Sequence, residues 1–140
     1  MTDLQREGGC FCGAVRYVTS GDASTLCICH CESCRWAVGA PMVPWGTFPT
    51  SRFKVTRGAV TEYASSPGVV RGHCADCGTS LTYQHEARPD DIDVTLASFD
   101  DAATLAPTAH IWIQDKLPWI KLDDGLPQFT TTLEGSQSAP

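Results

Sequence analysis

The stretch CICHCESCR at residues 27–35 places four cysteines and one histidine within eight positions, and it directs the interpretation of the whole chain. Two shorter groups accompany it, CFC at residues 10–12 and CADC at residues 74–77, and the three groups together hold all eight cysteines. Cysteines in C-x-C and C-x-x-C pairs allow a short loop to turn two sulfurs toward one point, as a tetrahedral zinc ion requires at about 2.3 Å per sulfur. The sequence therefore predicts a small zinc protein.

The composition limits the size and the partners of the protein. The chain has 140 residues, which is the length of one ordinary domain with a modest hydrophobic core. Ten Lys and Arg against sixteen Asp and Glu give a formal net charge of -6, and the basic residues are dispersed. Because phosphate binding depends on clustered positive charge, this balance argues against a nucleic-acid partner.

The compartment is predicted from two further features. Residues 1–7 lack the apolar region of a secretory signal, and no stretch approaches the roughly 18 apolar residues that span a bilayer. We therefore expect a cytoplasmic protein without a membrane segment, in which paired thiols indicate metal or redox chemistry. Four disulfides would be the alternative in a secreted protein, although closely spaced cysteine pairs are poor links between distant segments.

Short runs of β-branched and aromatic residues predict a mainly β domain over residues 8–129. It follows a polar leader at 1–7, with a turn at Gly8-Gly9, and precedes a polar tail at 130–140 that is predicted to be disordered. The helical turns predicted at 35–38 end at Gly39. The predicted strands are 14–19, 25–28, 41–45 (an edge strand because of its prolines), 52–57, 60–64, 69–74, 80–84, 92–99, 110–114 and 119–122.

The outer two cysteine groups are predicted to share one ion. Cys10 and Cys12 lie on one face of an extended segment, and Cys74 and Cys77 form a knuckle followed by Gly78. These four sulfurs complete a tetrahedron, the arrangement of a structural zinc. Because 61 residues separate Cys12 from Cys74, such an ion would close a large loop and contribute directly to folding.

The central group is predicted to supply three ligands. Along a strand, positions i and i+4 lie roughly 13 Å apart, so Cys27 cannot share an ion with Cys31 unless the strand breaks. Cys29, Cys31 and Cys34 have C-x-C and C-x-x-C spacings that fit one ion. Three protein ligands with a fourth position open to water or substrate are typical of a catalytic zinc.

Two alternatives for the fourth ligand stay open at this point. Cys27 completes a closed site if the chain bends there, and His30 could ligate, although alternation turns it away from Cys29 and Cys31. A hydrogen-bonded supporting role or a core position is the better interpretation of His30. The other histidines, His73, His85 and His110, and the four tryptophans, Trp36, Trp45, Trp112 and Trp119, are most simply explained by packing.

The donor set also indicates the chemistry. Three thiolates give a zinc unit a net charge of -1, which makes hydrolysis by bound hydroxide a poor interpretation. Such an ion is suited to a fourth thiolate, because soft sulfur ligands favour one another. An incoming thiol held deprotonated is a nucleophile, and Arg35 beside Cys34 would moderate the negative charge. This set therefore favours making or breaking a bond between a substrate sulfur and carbon.

The cysteine pattern resembles the glutathione-dependent formaldehyde-activating enzyme family. The resemblance rests on C-x-C-G at 10–13, C-H-C-x-x-C-R at 29–35 and C-x-x-C-G at 74–78. The later motifs SFDD at 98–101, HIW at 110–112, PW at 118–119 and DGLP at 124–127 support it. The similarity extends over about residues 8–129, and Cys27 is a departure from the bare pattern.

The resemblance implies a fold, a cofactor and a reaction. It implies the β-tent zinc-binding fold of the mammalian suppressor-of-sec-four type, with two zinc ions: a structural one and a second one held by Cys29, Cys31 and Cys34. It also implies a carbon-sulfur lyase that adds glutathione to formaldehyde, giving S-hydroxymethylglutathione. Relatives include the centromere protein V group, so shared metal sites do not determine the function. A non-catalytic zinc-stabilised binding module and a dithiol redox or metal-handling protein are the competing hypotheses.

Overall fold

The computed structural model describes residues 4–134 and 137–138, and the chain forms two compact units. The first unit contains residues 1–25 and 46–105, and the second contains residues 26–45 and 106–140. Among the described residues, no helix has the length and apolar character needed to cross a membrane.

The first unit is built from antiparallel strands. A three-stranded sheet has the order β1-β2-β5, formed by Gln5–Gly9, Arg16–Ser20 and Phe53–Arg57. Strand β4, Val43–Pro49, enters the unit at Gly46, and a meander follows in which each strand pairs with the next. The strands of this meander are β6 (Thr61–Ser66), β7 (Val69–His73), β8 (Ser80–His85) and β9 (Asp91–Thr95).

Tyr17 is at the centre of the aromatic core of this unit. Its ring packs 5.3 Å from Phe53 and edge-on to Phe99 at 5.2 Å, and its side chain is fully buried. The Tyr17 hydroxyl lies 2.6 Å from the Ser98 hydroxyl, and burial raises the pKa of Tyr17 well above its usual value. Gly8 lies against this hydroxyl, and a Cβ atom there would overlap it.

The second unit combines a small sheet with the only α-helix among the described residues. The sheet has the order β12-β11-β10-β3 and consists of Gln137–Ser138, Gln128–Phe129, Ala109–Ile111 and Thr25–Cys29. Strand β10 runs parallel to β3, with Ile111 opposite Cys29. Helix α1, Glu32–Val38, begins directly after β3 and ends at Gly39, which adopts the left-handed conformation at φ 72°.

The structure confirms a mainly β fold with one short helix after the central cysteine cluster. Several local predictions are wrong. Gly8-Gly9 lies within β1, where a Cβ atom at Gly8 would overlap Tyr17 and one at Gly9 would overlap the Val15 carbonyl oxygen. Residues 119–122 form no strand. The strand predicted at 92–99 ends at Thr95, where a 3-10 turn begins.

The prediction that all tryptophans are core residues also fails. Trp45 is buried, but Trp36 on α1 is 77% exposed and Trp119 is 65% exposed. Composition does not reveal which side of a short helix is buried, and Trp36 lies on the exposed side of α1. The single domain over 8–129 and the disordered tail stay predictions, since part of the tail (135–136 and 139–140) lies outside the described residues.

Candidate metal centres

In the first unit, Cys10, Cys12, Cys74 and Cys77 bring their sulfur atoms within 4.8 Å of one another. The Cys10 and Cys12 sulfurs lie 3.6 Å apart, and the Cys12 and Cys74 sulfurs lie 3.8 Å apart. The turns after β1 and β7 present these pairs, because backbone N–H groups of Val15 and Asp76 donate to the sulfurs of Cys10 and Cys74. The tetrad predicted from the spacing is therefore assembled.

The charges of these thiols show why a cation fits among them. The hydroxyl and the backbone N–H of Thr79 lower the pKa of Cys77 to about 5. For Cys12, a backbone hydrogen bond from Ala14 lowers the pKa, but contact with Cys10 and the other thiols outweighs it and raises the pKa to about 12. Thiols this close cannot all ionise alone, and a divalent cation at their centre would remove the conflict. The donor set is consistent with zinc.

In the second unit, Cys29, Cys31 and Cys34 form another group whose sulfurs lie within 4.8 Å of one another. The group forms where the chain passes from strand to helix: Cys29 ends β3, and Cys31 is the N-cap of α1. The Cys31 sulfur accepts a hydrogen bond from the Cys34 backbone N–H at 3.3 Å, which folds the C-x-x-C segment into the first helical turn. Three thiols that sequence spacing singled out are thus brought together.

No fourth ligating group among the described residues joins this cluster. Cys27 is buried on the same strand but is not a member of the sulfur group, and neither is His30. Contact with Cys31 and then with Cys34 raises the pKa of Cys29 far above its usual value. As in the first cluster, crowded thiols that suppress ionisation make a suitable site for a divalent cation.

A loop from the strand pair supports the start of α1. Trp112 follows β10 and adopts the left-handed conformation at φ 58°, which is costly for a non-glycine residue. It leads into a 3-10 turn over Ile113–Asp115, and the Asp115 carboxylate accepts a hydrogen bond from the Glu32 N–H at 3.2 Å. A carboxylate at this place satisfies one of the free N–H groups that open the helix.

Two buried histidines and an aspartate of the second unit are linked by hydrogen bonds. His30 is completely buried, and its Nε2 atom lies 2.9 Å from Nδ1 of His110. His110 Nε2 lies 2.7 Å from a carboxylate oxygen of Asp124. Burial, with the neighbouring His110 and Lys116, lowers the pKa of His30 to about 4. The hydrogen bond from His110 lowers the pKa of Asp124.

The sequence analysis predicts only part of the hydrogen-bonded group formed by His30, His110 and Asp124. The supporting role expected for His30 agrees with its burial and its contact with His110. The assignment of His110 to packing misses its two polar contacts, and the sequence patterns do not identify Asp124 as a site residue. The HIW and DGLP motifs were the available signals, because each carries one of these side chains.

Comparison with known proteins places the two clusters in a family. The sequence profile of the glutathione-dependent formaldehyde-activating enzyme family matches residues 5–115, which include all seven cysteines of the two clusters. The chain belongs to this family. An uncharacterized lyase of the fission yeast Schizosaccharomyces pombe is 28% identical over 111 residues, covering 79% of this chain and 80% of the yeast protein.

A solved structure supports the fold. The crystal structure of a Rhodobacter sphaeroides protein aligns with a TM-score of 0.57 and 25% sequence identity. The alignment covers 68% of this chain and 88% of the bacterial chain. The family assignment therefore rests on a sequence profile, and the fold has an independent match.

Proposed function

We propose that this member of the family is a zinc-dependent carbon-sulfur lyase of the S-(hydroxymethyl)glutathione synthase type. Its substrate is the adduct of glutathione, or a related thiol, with formaldehyde or another small aldehyde, which it forms or cleaves. The family profile and the lyase relative from yeast support this class of reaction. A cytoplasmic location suits it, because thiols stay reduced there.

The eight cysteines would divide into two ligand sets and one remaining residue. Cys10, Cys12, Cys74 and Cys77 would hold a structural zinc, and Cys29, Cys31 and Cys34 would hold the catalytic zinc. When bound at the second site, zinc supplies the positive charge that keeps a substrate thiol ionised at neutral pH.

The reaction needs no oxidant or reductant. In the forward direction the thiol loses its proton and its sulfur forms a bond to the carbonyl carbon. The carbonyl π electrons move to oxygen, and that oxygen takes up one proton to become the hydroxyl group of the adduct. Arg35 is a candidate for binding the anionic thiol, because it follows Cys34 directly and lies in the same unit as Cys29, Cys31 and Cys34. Its Nε atom is buried and has no hydrogen-bond partner among the described residues, as expected of a group that pairs with a ligand.

The single observation that carries the proposal is the group of three converging sulfurs without a fourth Cys, His, Asp or Glu among the described residues. A closed four-ligand site has no coordination position for a substrate thiol, whereas a three-ligand site has one. The competing hypothesis of a non-catalytic binding module requires a closed or metal-free central cluster.

The proposal is tested by metal content and turnover in matched variants. The purified chain should contain two zinc ions and should catalyse formation or breakdown of the glutathione-formaldehyde adduct. Cys34→Ala and Cys31→Ser should each lose one zinc and at least about a hundredfold in kcat/KM, as expected when a ligand to a catalytic metal is removed. Cys27→Ser, which alters a cysteine outside the group, should keep both ions and most of the activity.

Three results would contradict this function. Full activity in Cys34→Ala and Cys31→Ser would remove the central cluster from the reaction. A wild-type chain with one zinc and no turnover would favour the binding module, and disulfides in place of metal would favour the dithiol redox protein.

A further inference from the structure

The two cysteine clusters differ in how far their sulfurs are open to solvent. In the first cluster Cys12 and Cys77 are exposed, whereas Cys10 and Cys74 are buried. In the central cluster two of the three cysteines are only 5% exposed, and the third is half-buried. Among cysteines held as thiolates, oxidation follows solvent access. We therefore expect a dissolved oxidant to react with the first cluster before the central one.

The turn that carries Cys12 leaves this side chain accessible. Phe11, the residue before it, is 95% exposed, so the aromatic ring does not pack over the cluster. The Phe11 N–H donates to the Thr79 hydroxyl at 3.0 Å, which ties the turn to the segment after Cys77. Cys12 is thus held beside that segment while it stays open to small molecules in solution.

The exposed Cys12 sulfur contacts a buried thiol from the other segment. It lies 3.8 Å from the sulfur of Cys74, which is 0% exposed. A small side-chain movement shortens this distance to the about 2.05 Å of a disulfide. The Cys10 sulfur is also close, at 3.6 Å, but a bridge across a single residue has to enclose two planar peptide groups in one small ring. Cys74 belongs to a separate turn and is free of that constraint.

We propose that Cys12 is a site of oxidation by hydroperoxides, and that Cys74 converts the oxidised sulfur into a Cys12–Cys74 disulfide. The inference rests on the proposed function for the zinc ion assigned to the first cluster, and it is independent of the lyase reaction. An exposed cysteine beside a second cysteine that completes the disulfide is the arrangement of redox-sensing sites.

The reaction consumes one hydroperoxide and two protons. The Cys12 thiolate attacks an oxygen of hydrogen peroxide, the O–O bond breaks, and a sulfenic acid forms while the departing hydroxide takes up a proton to give water. The Cys74 thiolate then attacks the Cys12 sulfur, so that the S–S bond forms and the S–O bond breaks. The second hydroxide also becomes water. The two sulfurs have lost two electrons, and the peroxide has gained them.

The disulfide would join the same two segments as the metal. Cys12 and Cys74 are separated by 61 residues, so either link closes this loop and restricts the unfolded chain. The oxidised protein should therefore release one zinc ion and yet remain folded. An excess of a small thiol opens the disulfide by exchange, so the ligand set is recovered on reduction.

Oxidation of the reduced, zinc-replete protein tests the site. Hydrogen peroxide is added without free thiols, a coloured chelator reports released zinc, and remaining thiols are alkylated after denaturation for peptide mass spectrometry. One zinc should be released at least about tenfold faster than the other, since oxidation follows access. The Cys12–Cys74 disulfide should form in step with it, while Cys29, Cys31 and Cys34 are still alkylated. Dithiothreitol followed by added zinc should restore the starting state.

Three variants assign the parts of this reaction. Cys74→Ser removes the partner thiol, so Cys12 should accumulate as a sulfenic acid that dimedone labels, whereas wild type should show little label. Cys31→Ser alters the central cluster and should release its remaining zinc at the fast wild-type rate. Cys27→Ser alters a cysteine outside both clusters and should change neither the rate nor the disulfide.

Several outcomes would overturn the proposal. A first disulfide within one turn, either Cys10–Cys12 or Cys74–Cys77, would contradict the proposed pair. Earlier oxidation of the central cluster, or irreversible oxidation of Cys12 without a bridge, would contradict the site itself. If Cys74→Ser does not fold, the disulfide map of the wild-type protein still decides.

Failure of the inference is distinguishable from failure of the proposed function. A protein that forms the reversible Cys12–Cys74 disulfide but has no turnover contradicts the lyase activity alone. An active protein that keeps these two thiols reduced under peroxide contradicts the inference alone. The zinc content measured before oxidation tests the metal assignment separately from both.

Discussion

Cys27, Cys29 and Cys31 alternate along the chain, yet only the last two join the sulfur group. The difference arises because β3 ends at Cys29 and the backbone turns into α1, with Cys31 as the N-cap. A strand that continued would carry Cys31 several ångströms away from Cys34. Which cysteines join the sulfur group is therefore decided by where one strand ends.

At the residue scale, Tyr17 gives a prediction on pH. Burial raises the pKa of Tyr17, so the folded protein keeps the phenolic hydrogen at a pH where an unfolded tyrosine, with a pKa near 10, loses it. Because the unfolded state then binds fewer protons, the free energy of unfolding falls as the pH rises above about 10, by at most roughly 1.4 kcal/mol per pH unit. Urea unfolding of wild type and Tyr17→Phe at pH 8 and pH 10.8 measures this dependence.

The quantity to compare is the change in the free energy of unfolding between the two pH values, not its absolute value. Tyr17→Phe also loses the contact with the Ser98 hydroxyl, and this loss lowers the stability of the variant at every pH. The variant should lose less stability than wild type over this pH interval. Identical pH dependence in both proteins would show that Tyr17 does not keep its hydrogen on folding.

At the scale of one element, α1 is short and depends on its ends. Seven residues make an intrinsically weak helix, and three groups outside it provide support: the Cys31 sulfur, the Asp115 carboxylate and the left-handed Gly39. Gly39 donates its N–H to the Arg35 carbonyl at 2.7 Å and so ends the helix. The position of Cys34 on this helix links these end contacts to the three-cysteine cluster.

Gly39→Ala should therefore destabilise the protein by about 1 kcal/mol, because alanine resists a φ of 72° while no atom lies within 4 Å of the added methyl group. Gly39→Asn is the matched control, since asparagine tolerates this conformation better, and it should cost less. Chemical denaturation of wild type, Gly39→Ala and Gly39→Asn measures the order of their free energies of unfolding. If alanine proves as stable as glycine, the left-handed end of α1 is not maintained in solution.

At the scale of the whole molecule, each compact unit contains one cysteine cluster. In the first unit the cluster joins residues 62 positions apart, Cys12 and Cys74, whereas the three cysteines of the second unit lie within six residues of one another. A cross-link over a long loop removes more freedom from the unfolded chain than a local one does. Metal at the first cluster should therefore contribute more to folding.

Cys77→Ser and Cys31→Ser test this difference. Cys77 is exposed, so its replacement acts through the metal, and serine at position 31 still caps α1. We expect Cys77→Ser to lose one zinc and about 3 kcal/mol or more of unfolding free energy. Cys31→Ser should also lose one zinc but retain most of the stability. Native mass spectrometry gives the metal content and denaturation gives the stability; equal losses in the two variants would contradict the proposed division of roles.

The sequence by itself determined the strand-rich fold and the membership of both cysteine clusters. C-x-C and C-x-x-C spacings bring thiols together through local backbone geometry, so Cys29, Cys31 and Cys34 needed no tertiary information. The pairing of residues 10–12 with 74–77 could also be predicted from the sequence. A tetrahedral ion needs four sulfurs, and the central cysteines are already grouped with one another by their spacing, so the two outer pairs are left to combine.

Only the tertiary structure joined His30, His110 and Asp124. These residues come from three separate segments, and the parallel pairing of β10 with β3 is what sets His110 beside Ile28 and within reach of His30. Parallel strands are connected by long stretches of chain, so their register leaves no short-range pattern in the sequence. A hydrogen-bonded chain built across such a pairing becomes visible only when the strands are in place.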